Sequence, residues 1–400
     1  MDFVFIAMAV AFLVATLVFP LVLRFAQYYQ IVDNPNARKL QRQSVPLLGG
    51  IVVYCGILAG IICYYSNLDA SMFPLGIVGM TIMLIIGTWD DVRNLSVIIR
   101  FIVEILVIVG LIFYVGFYLD DMHGLWGFHT IDPIIAYPLS IISGVGIINA
   151  MNLIDGIDGY SSGYGIFACV SFAILFGLCD KPATMMIALV TAASLLPFFL
   201  HNVFGKKTKM FIGDGGTLML GVLMTMFVFS SLSSKSTCFQ LDRKGFSLIA
   251  YCLAILSIPV FDTLRVMISR MVRGRSPFQP DKTHLHHLFI DMGFSHLGAA
   301  AFIISLNALI ALAWYACYKL GGSLDLQVYV VIVLGILLTF VLNKFMRAQQ
   351  FSGPIGEDGT PVGTAVWRFA CRVGKMSHIE KGAFWQFMRQ LVDNELFKKG

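Results

Sequence analysis

The most specific polar cluster in this 400-residue sequence runs from Asn149 to Gly159 and reads N-x-x-N-x-x-D-G-x-D-G. On a helix, Asn149, Asn152 and Asp155 recur every three residues and would share one face. The glycines permit a sharp turn or the close approach of a ligand. Carboxylate and amide oxygens are ligands that suit Mg²⁺. The cluster therefore indicates a metal or ligand site, with an Asn/Asp/Gly turn between helices as the alternative.

Two further acidic positions lie at the ends of apolar stretches. Asp90 and Asp91 are adjacent carboxylates that repel each other, and a divalent cation or a proton would relieve the repulsion. A solvated charge pair at a helix end explains them equally well. Asp214, in the run F-I-G-D-G-G-T, suits a helix N-terminus, and its glycines suggest backbone amides that face a phosphate. A plain helix cap is the alternative there.

A basic and imidazole-rich stretch extends from Arg265 to His287. A positively charged membrane anchor explains the arginines but does not need histidines. The run His284, His286 and His287 therefore favours metal or phosphate contacts. Because no cysteine is nearby and the other clusters are rich in hard oxygens, phosphate and sugar contacts are favoured over zinc.

The stretches between these clusters belong to a membrane protein. Hydrophobic residues make up 58% of the chain and charged residues 13%, with a mean hydropathy of +0.81, whereas soluble domains carry about 25% charged residues. Continuous apolar runs of roughly 20 residues predict transmembrane helices rather than a barrel. The spans are expected at about 3–24, 47–66, 73–89, 97–118, 133–149, 161–178, 183–201, 211–231, 246–268, 298–318 and 327–346.

These spans predict an all-α polytopic membrane protein with about eleven transmembrane helices and cytoplasmic catalytic loops. Residues 1–346 form the membrane domain, and residues 347–400 form a cytoplasmic tail. Apolar positions over 376–397 suggest an amphipathic helix that lies on the membrane surface or packs on the protein's own loops.

The distribution of basic residues predicts the orientation. Of the 28 Lys and Arg, 14 follow odd-numbered spans and 9 lie in the tail, against 5 after even-numbered spans. Because basic loops remain in the cytoplasm, the N-terminus is expected outside and the tail inside. Every polar cluster described above then reaches the cytoplasmic face. Acidic residues of the opposite face, such as Asp120 and Asp132, are expected only to be solubilising.

Together with two more segments, Arg38–Gly50 and Pro280–His287, the clusters resemble the motifs of the polyprenyl-phosphate N-acetylhexosamine-1-phosphate transferases. These bacterial enzymes start O-antigen, teichoic acid and related glycans, and they are relatives of the peptidoglycan translocase and of the eukaryotic dolichol enzyme. Five motifs occur in order over about residues 33–290. In one departure, many relatives carry a His shortly after the Arg-Lys of the first motif, and here Leu40-Gln41-Arg42 follows instead.

The resemblance also implies residue roles. Asp214 and Asn152 would hold Mg²⁺, for which Mn²⁺ could substitute. Asp155 would be a catalytic carboxylate near the metal, and Asp90 and Asp91 would be catalytic residues that handle the lipid phosphate. The residues implied in substrate binding are Lys39, Asn149, Asp158, Phe211, Asp281, His284, His286 and His287. Among these, Asp158 and Phe211 would form the uracil pocket, and the histidines would lie on the diphosphate side.

The implied reaction transfers N-acetylhexosamine-1-phosphate from a UDP-sugar to undecaprenyl phosphate and releases UMP, and the resemblance favours N-acetylglucosamine-1-phosphate as the transferred group. The product would initiate a cell-envelope polysaccharide. The expected location is a bacterial inner (cytoplasmic) membrane. The expected partners are membrane lipids, with no nucleic acid among them, and a homodimer is compatible with the family. The His-x-His-His run differs from the three consecutive histidines of the peptidoglycan translocase, which favours a UDP-N-acetylglucosamine-type donor.

Two other functional classes fit part of the pattern. A transporter or cation-coupled pump also has many spans and intramembrane acids. Its site, however, would lie near the midplane between inverted repeats, whereas the clusters here lie at one face and no repeat is visible. A structural membrane scaffold would not need the Asn/Asp motif.

Overall fold

The computed structural model describes residues 2–34, 44–64, 73–279, 282–352, 362–380 and 382–393. Almost all of the regular structure in these residues is α-helix. The helices are α1 (Asp2–Tyr28), α2 (Gly49–Tyr64), α3 (Phe73–Arg93), α4 (Val97–Gly110), α5 (Pro133–Leu153), α6 (Tyr160–Leu178), α7 (Pro182–Phe204), α8 (Gly213–Leu232), α9 (Leu248–Ile255), α10 (Ser257–Val272), α11 (Leu285–Asp291), α12 (His296–Lys319), α13 (Leu324–Ile336), α14 (Leu342–Phe351), α15 (Ala365–Met376) and α16 (Ala383–Val392). Short strands β1 (Val32–Asp33) and β2 (Val45–Pro46) pair antiparallel.

The predicted class, an all-α polytopic membrane protein, is confirmed. Eight helices in the described part of the chain are long and apolar enough to cross a membrane, and a ninth span results if α9 and α10 are counted together. The count of eleven is not confirmed. The two remaining predicted spans coincide with α2, which has 16 residues, and with α3, which has 21 and carries Asp90 and Asp91 in its last turn.

The ninth predicted span is broken. Helices α9 and α10 meet at an angle of 72°, because Pro259 has no N–H to donate and its ring opposes the carbonyl of Ile255. The buried Asn307 of α12 pairs with backbone groups that the break leaves without helical partners. Its Nδ2 donates to the carbonyls of Ala254 and Ile255, each at 3.1 Å, and its Oδ1 accepts from the amide of Ile258 at 2.9 Å. Such pairing is what allows irregular backbone at membrane depth.

Small residues let the first helices pack closely. Ala7 and Ala11 lie on the buried face of α1, opposite Gly60 and Gly56 of α2. A Cβ added to either glycine would approach the carbonyl oxygen of the facing alanine to 3.0 Å or less. Helices in a membrane gain stability from such close packing, since lipid supplies no hydrophobic driving force between them.

Helix α8 lies in the centre of the bundle, and nearly all of its residues are buried. Glycines bring its N-terminal turn against α2 and α3. A Cβ on Gly87 would collide with the backbone of Gly215, and a Cβ on Gly50 would collide with Gly216. The start of α8 is therefore fixed against the end of α3, which carries the adjacent carboxylates.

The acidic residues expected to be solubilising have structural roles. Asp120 is buried and accepts from the amide and hydroxyl of Ser234 at 2.7 and 2.6 Å. Asp132 caps α5 by accepting from the amide of Ile134 at 2.8 Å. Turns between helices leave backbone donors unpaired, and short carboxylates satisfy them.

The tail forms two short helices, α15 and α16. The predicted boundary between residues 346 and 347 falls inside α14. Trp385 of α16 is buried against Phe204 at the end of α7, with ring centroids 4.7 Å apart, while Phe384 and Phe387 remain exposed. The tail thus packs on the protein's own loops with one face and leaves an apolar face uncovered.

Candidate active site

The turn between α5 and α6 carries the most specific motif. Helix α5 ends at Leu153, so Asp155 lies in the turn that follows. Asp155 therefore does not share a helix face with Asn152, although the spacing predicted that it would. Gly159 has φ +77°, a conformation that favours glycine. A Cβ on Gly156 would collide with Nε2 of His286, so the histidine loop packs directly on this turn.

The two predicted metal ligands lie side by side. Nδ2 of Asn152 donates to Oδ1 of Asp214 at 3.0 Å and to Oγ1 of Thr217 at 2.9 Å. Asn152 therefore faces Asp214 with its amide nitrogen. A half-turn of the amide would present the oxygen instead, and the Thr217 hydroxyl could then donate to it.

The adjacent carboxylates Asp90 and Asp91 serve different partners. Oδ1 of Asp91 accepts from the backbone amide of Asp214 at 3.1 Å and so caps the first turn of α8. Its Oδ2 is buried and has no hydrogen-bond partner among the described residues. Asp90 accepts from the amide of Leu95 at 2.7 Å and from Nη1 of Arg100 at 3.2 Å. The α8 amide that was expected to face a phosphate thus faces Asp91.

An arginine and a glutamate that the motifs did not indicate complete this cluster. Nη1 of Arg100 lies 3.6 Å from Oδ2 of Asp214, and its Nε lies 3.6 Å from Oε1 of Glu104. Glu104 is buried and accepts from Nδ2 of Asn149. The signal was in the sequence, because two charged residues one helical turn apart inside an apolar span need partners.

Asp158 is held by two cationic or imidazole groups. Nζ of Lys209 and Nδ1 of His296 lie 2.6 and 2.7 Å from the same Oδ2 of Asp158. Burial acts to raise the pKa of this carboxyl, but His296 and Lys209 together hold the pKa below its ordinary value. The Lys209 ammonium also lies 5.6 Å from the centre of the Phe211 ring, which places both predicted uracil-pocket residues around one lysine.

Asp155 is an exposed residue of the turn, but the protein around its carboxyl removes part of its hydration. Desolvation by that surrounding protein raises the pKa of Asp155 to about 7, and the charges of Asp214 and Asp158 act in the same direction. The hydrogen bond from Oγ of Ser161, at 2.7 Å, opposes them. Asp155 is therefore the acid of the turn whose charge a cation would most favour.

The histidine loop is tied to α10. Nδ1 of His284 lies 3.0 Å from Oδ2 of Asp262. The other carboxylate oxygen of Asp262, Oδ1, accepts from Nη2 of Arg265 at 2.6 Å. Nε2 of His284 is buried without a partner in the part of the chain that the structure describes. Burial lowers the pKa of His286 well below its ordinary value and that of His287 to about 4, with neighbouring imidazoles adding to the effect. Both rings are neutral at pH 7.

The donor set fits a hard cation held partly by substrate. Within the described residues, no three His, Cys, Asp or Glu side chains form a preformed metal cage. Mg²⁺ does not require one, because it commonly uses one or two carboxylates together with water and substrate phosphates. The partly exposed Asp214 carboxylate and the unpartnered Oδ2 of Asp91 are hard oxygens of the kind it binds.

The motifs meet at one end of the bundle. The amide of Gly49 donates to the carbonyl of Phe211 at 2.9 Å, and the amide of Gly50 donates to that of Ile212 at 2.8 Å. The described end of the first motif therefore packs on the segment that precedes α8. Two of the predicted substrate-binding residues, Lys39 and Asp281, lie outside the described residues. The other predicted residues lie on the turn after α5, the ends of α3, α5 and α8, and the histidine loop.

Comparison with known proteins agrees with this architecture. The family model of glycosyl transferase family 4 matches residues 73–232. A probable undecaprenyl-phosphate N-acetylglucosaminyl 1-phosphate transferase of Bacillus subtilis is 29% identical over 76% of this chain and 84% of its own. The undecaprenyl-phosphate alpha-N-acetylglucosaminyl 1-phosphate transferase of Escherichia coli O157:H7 is 31% identical over 75% of this chain and 80% of its own, and that of Yersinia pestis is 29% identical over 70% and 75%.

The fold and the cluster at its end define a polytopic membrane protein with an acidic site at one face. The chain belongs to the family of the undecaprenyl-phosphate N-acetylglucosaminyl 1-phosphate transferases, and its residues 73–232 match glycosyl transferase family 4.

Proposed function

We propose that this protein transfers N-acetylglucosamine-1-phosphate from UDP-N-acetylglucosamine to undecaprenyl phosphate and releases UMP. The observation that carries the proposal is that Asp214, Asn152 and Arg100 lie together at one end of the bundle. The relatives named for this activity are similar to this chain over most of their length. The product would be a lipid-linked sugar that initiates a cell-envelope polysaccharide.

In the reaction, one phosphorus–oxygen bond forms and one phosphorus–oxygen bond breaks. An oxygen of the acceptor phosphate attacks the β-phosphorus of the donor, and the bond from that phosphorus to the bridging oxygen of UMP breaks. The acceptor is a phosphate monoester with a second pKa of about 6, so it is mostly dianionic at pH 7 and needs no general base. Asp90 and Asp91 then have positioning roles, because Asp90 holds Arg100 and Asp91 caps α8.

Asp214 and Asn152 would hold Mg²⁺, or Mn²⁺ in its place. The bound ion would neutralise charge on the donor diphosphate during transfer. Arg100 supplies a permanent positive charge 3.6 Å from Asp214, and arginine binds phosphate well through its planar donors. Asp155, across the site, adds a carboxylate whose charge the same cation would favour.

The uridine side of the site is assigned to Asp158, Lys209 and Phe211. Phe211 presents a partly buried ring next to the ion pair of Asp158 and Lys209. Stacking on an aromatic ring tolerates any base. Hydrogen bonds from the edge of the base to a fixed carboxylate would instead select for uracil. The unpartnered Nε2 of His284 supports the assignment of the histidine loop to the diphosphate. Because Nδ1–H donates to Asp262, the imidazolium form of His284 would present its second N–H, at Nε2, to a phosphate oxygen.

The acceptor chain needs an apolar groove that opens sideways to lipid. A cavity of about 1030 Å³ is lined by Leu84, Trp89, Val92 and Arg93 of α3 together with Ile51 of α2. Two of its lining residues, Trp89 and Val92, directly flank Asp90 and Asp91 in the sequence. We assign it to the first isoprene units of the acceptor.

The test measures UMP release by the purified protein from UDP-N-acetylglucosamine, with undecaprenyl phosphate and Mg²⁺. Activity that requires both the lipid phosphate and the cation is expected, with UDP-glucose giving negligible turnover. Equal turnover of UDP-glucose, or transfer from the UDP-muramoyl-pentapeptide, would contradict the donor assignment. Undiminished turnover after removal of divalent cations with EDTA would contradict the metal.

A further inference from the structure

We propose that the C-terminal segment 362–393 is a positioning element for the uridine side of the active site, acting through Asp393 and Ser377. This inference rests on the proposed function, since it assigns a role to residues that hold the Asp158 contacts. The segment lies outside residues 73–232, which the family model covers. Its contacts reach the residues that directly precede the two groups that bind Asp158, namely Thr208 before Lys209 and Ser295 before His296.

Asp393 binds the loop that leads to Lys209. Its carboxylate accepts from the backbone amides of Lys206 at 3.1 Å, Lys207 at 3.3 Å and Thr208 at 3.3 Å, and from the Thr208 hydroxyl at 2.9 Å. Three consecutive amides that point at one anion form the kind of concave site that binds negative charge. The loop is thereby fixed one residue before Lys209.

Helix α16 holds Asp393 in place. Its last helical residue, Val392, is buried together with Trp385 against Val203 and Phe204 at the end of α7. The amide of Asp393 donates to the carbonyl of Arg389 at 2.8 Å. The carboxylate therefore sits on a packed helix end and not on a free chain end.

Ser377 binds the start of α12, which carries the second group. Its hydroxyl accepts from the amide of Ser295 at 2.9 Å, and its carbonyl accepts from the Ser295 hydroxyl at 2.9 Å. Ser295 is the N-cap of α12, and His296 is the first residue of that helix. A Cβ on Gly298 would collide with the side chain of Ser377, so the two segments are in close contact.

The two contacts converge on one oxygen. Lys209 and His296 approach Oδ2 of Asp158 from loops that are 87 residues apart in sequence, and each loop is fastened to the tail within one residue. Loss of a tail contact should loosen the uridine side while leaving Asp214, Asn152 and Arg100 in place. The expected effect is weaker donor binding and not slower bond making.

The experiment compares Asp393→Ala, Asp393→Asn and Ser377→Ala with the control Glu380→Gln, which neutralises an exposed carboxylate of the same segment. The KM values for UDP-N-acetylglucosamine and for undecaprenyl phosphate are measured separately. A charge-assisted hydrogen-bond set is worth enough to raise the donor KM about tenfold in Asp393→Ala. Asp393→Asn should fall between wild type and Ala, because it keeps one acceptor oxygen. The KM for the lipid, kcat and the control should stay within about twofold of wild type.

Equal rises in both KM values, or a loss confined to kcat, would overturn the positioning role, as would an unchanged donor KM. Hydrogen exchange of the amides at 206–211 supplies a readout that does not need activity. Faster exchange there in Asp393→Asn, with the bundle helices unchanged, supports the proposal even if Asp393→Ala fails to fold. Unchanged exchange overturns it. A wild-type protein without turnover would refute the proposed function, and the exchange result would still decide whether the tail holds this loop.

Discussion

At the scale of single residues, the site is organised by the pairing of charges that the membrane makes costly. Asp90, Glu104 and Asp214 all lie within 3.6 Å of Arg100. One arginine therefore offsets part of the charge of three carboxylates, and the remaining negative charge favours a cation. Asp91 does not bind Arg100 in this way but accepts from the backbone amide of Asp214 in the first turn of α8. A pair that looks symmetrical in sequence thus has two separate roles.

Replacing Asp214 tests the metal assignment at this scale. Asp214→Ala removes a charge and a hard oxygen together, and Asp214→Asn removes only the charge. Turnover should fall by about a hundredfold or more in both, as it does when a preorganised electrostatic group is lost. Asn152→Asp keeps an oxygen and should retain measurable activity with a changed dependence on Mg²⁺ concentration. Activity is measured as UMP release at several Mg²⁺ concentrations.

Glu380→Gln is the matched control, because it neutralises an exposed carboxylate that is not one of the cluster's residues. Folding is checked by the size-exclusion profile in detergent. A well-folded Asp214→Ala protein with nearly normal turnover and an unchanged Mg²⁺ response would show that the cation is held elsewhere.

At the scale of elements, glycines and one asparagine decide how the helices meet. Gly87 and Gly215 let α3 and α8 touch, which puts Asp91 within reach of the amide of Asp214. The break between α9 and α10 turns α10 by 72° and brings Asp262 to the histidine loop. Both features place side chains that lie far apart in sequence.

Asn307→Leu tests the role assigned to the break. It removes the groups that satisfy two carbonyls and the amide of Ile258, which should lower the free energy of unfolding by on the order of 3 kcal/mol. The melting temperature in detergent should fall clearly. Leu309→Ala, which changes an exposed, lipid-facing position of the same helix, should have little effect. An Asn307→Leu protein as stable as wild type would mean that the break does not depend on this side chain.

At the scale of the whole molecule, the distribution of charge predicts the orientation. The loop that contains Lys206, Lys207 and Lys209 belongs to the basic side of the bundle, and the same side carries the motifs and the tail. Because α16 binds this loop directly, the loop and the tail must share one face of the membrane.

Cysteine labelling in a cysteine-free background tests this orientation. Lys207→Cys should react with a membrane-impermeant maleimide only after the membrane is opened, because basic loops remain in the cytoplasm. Phe128→Cys, at an exposed position of the 116–132 loop, should react in intact cells. Labelling of position 207 from outside would contradict the orientation and the cytoplasmic site together.

Much of the molecule could be predicted from sequence because hydrophobicity and motif spacing are local properties. Apolar runs of about 20 residues indicated membrane helices, and N-x-x-N-x-x-D-G-x-D-G, Gly213–Thr217 and the histidine run indicated where the chemistry lies. Arg100 and Glu104 were not among the predicted site residues, although two charges inside an apolar run need partners and could have indicated them.

Only the tertiary structure decided which groups face each other. The roles of Asp91, Lys209 and His296 depend on contacts between segments far apart in the chain. For Asp91, the close approach of Gly87 to Gly215 sets the distance between α3 and α8. The contact of Asp393 with residues 206–208 spans more than 180 positions of sequence. No local pattern encodes such a pairing, because it arises from the packing of α16 on α7 and not from the preference of either segment alone.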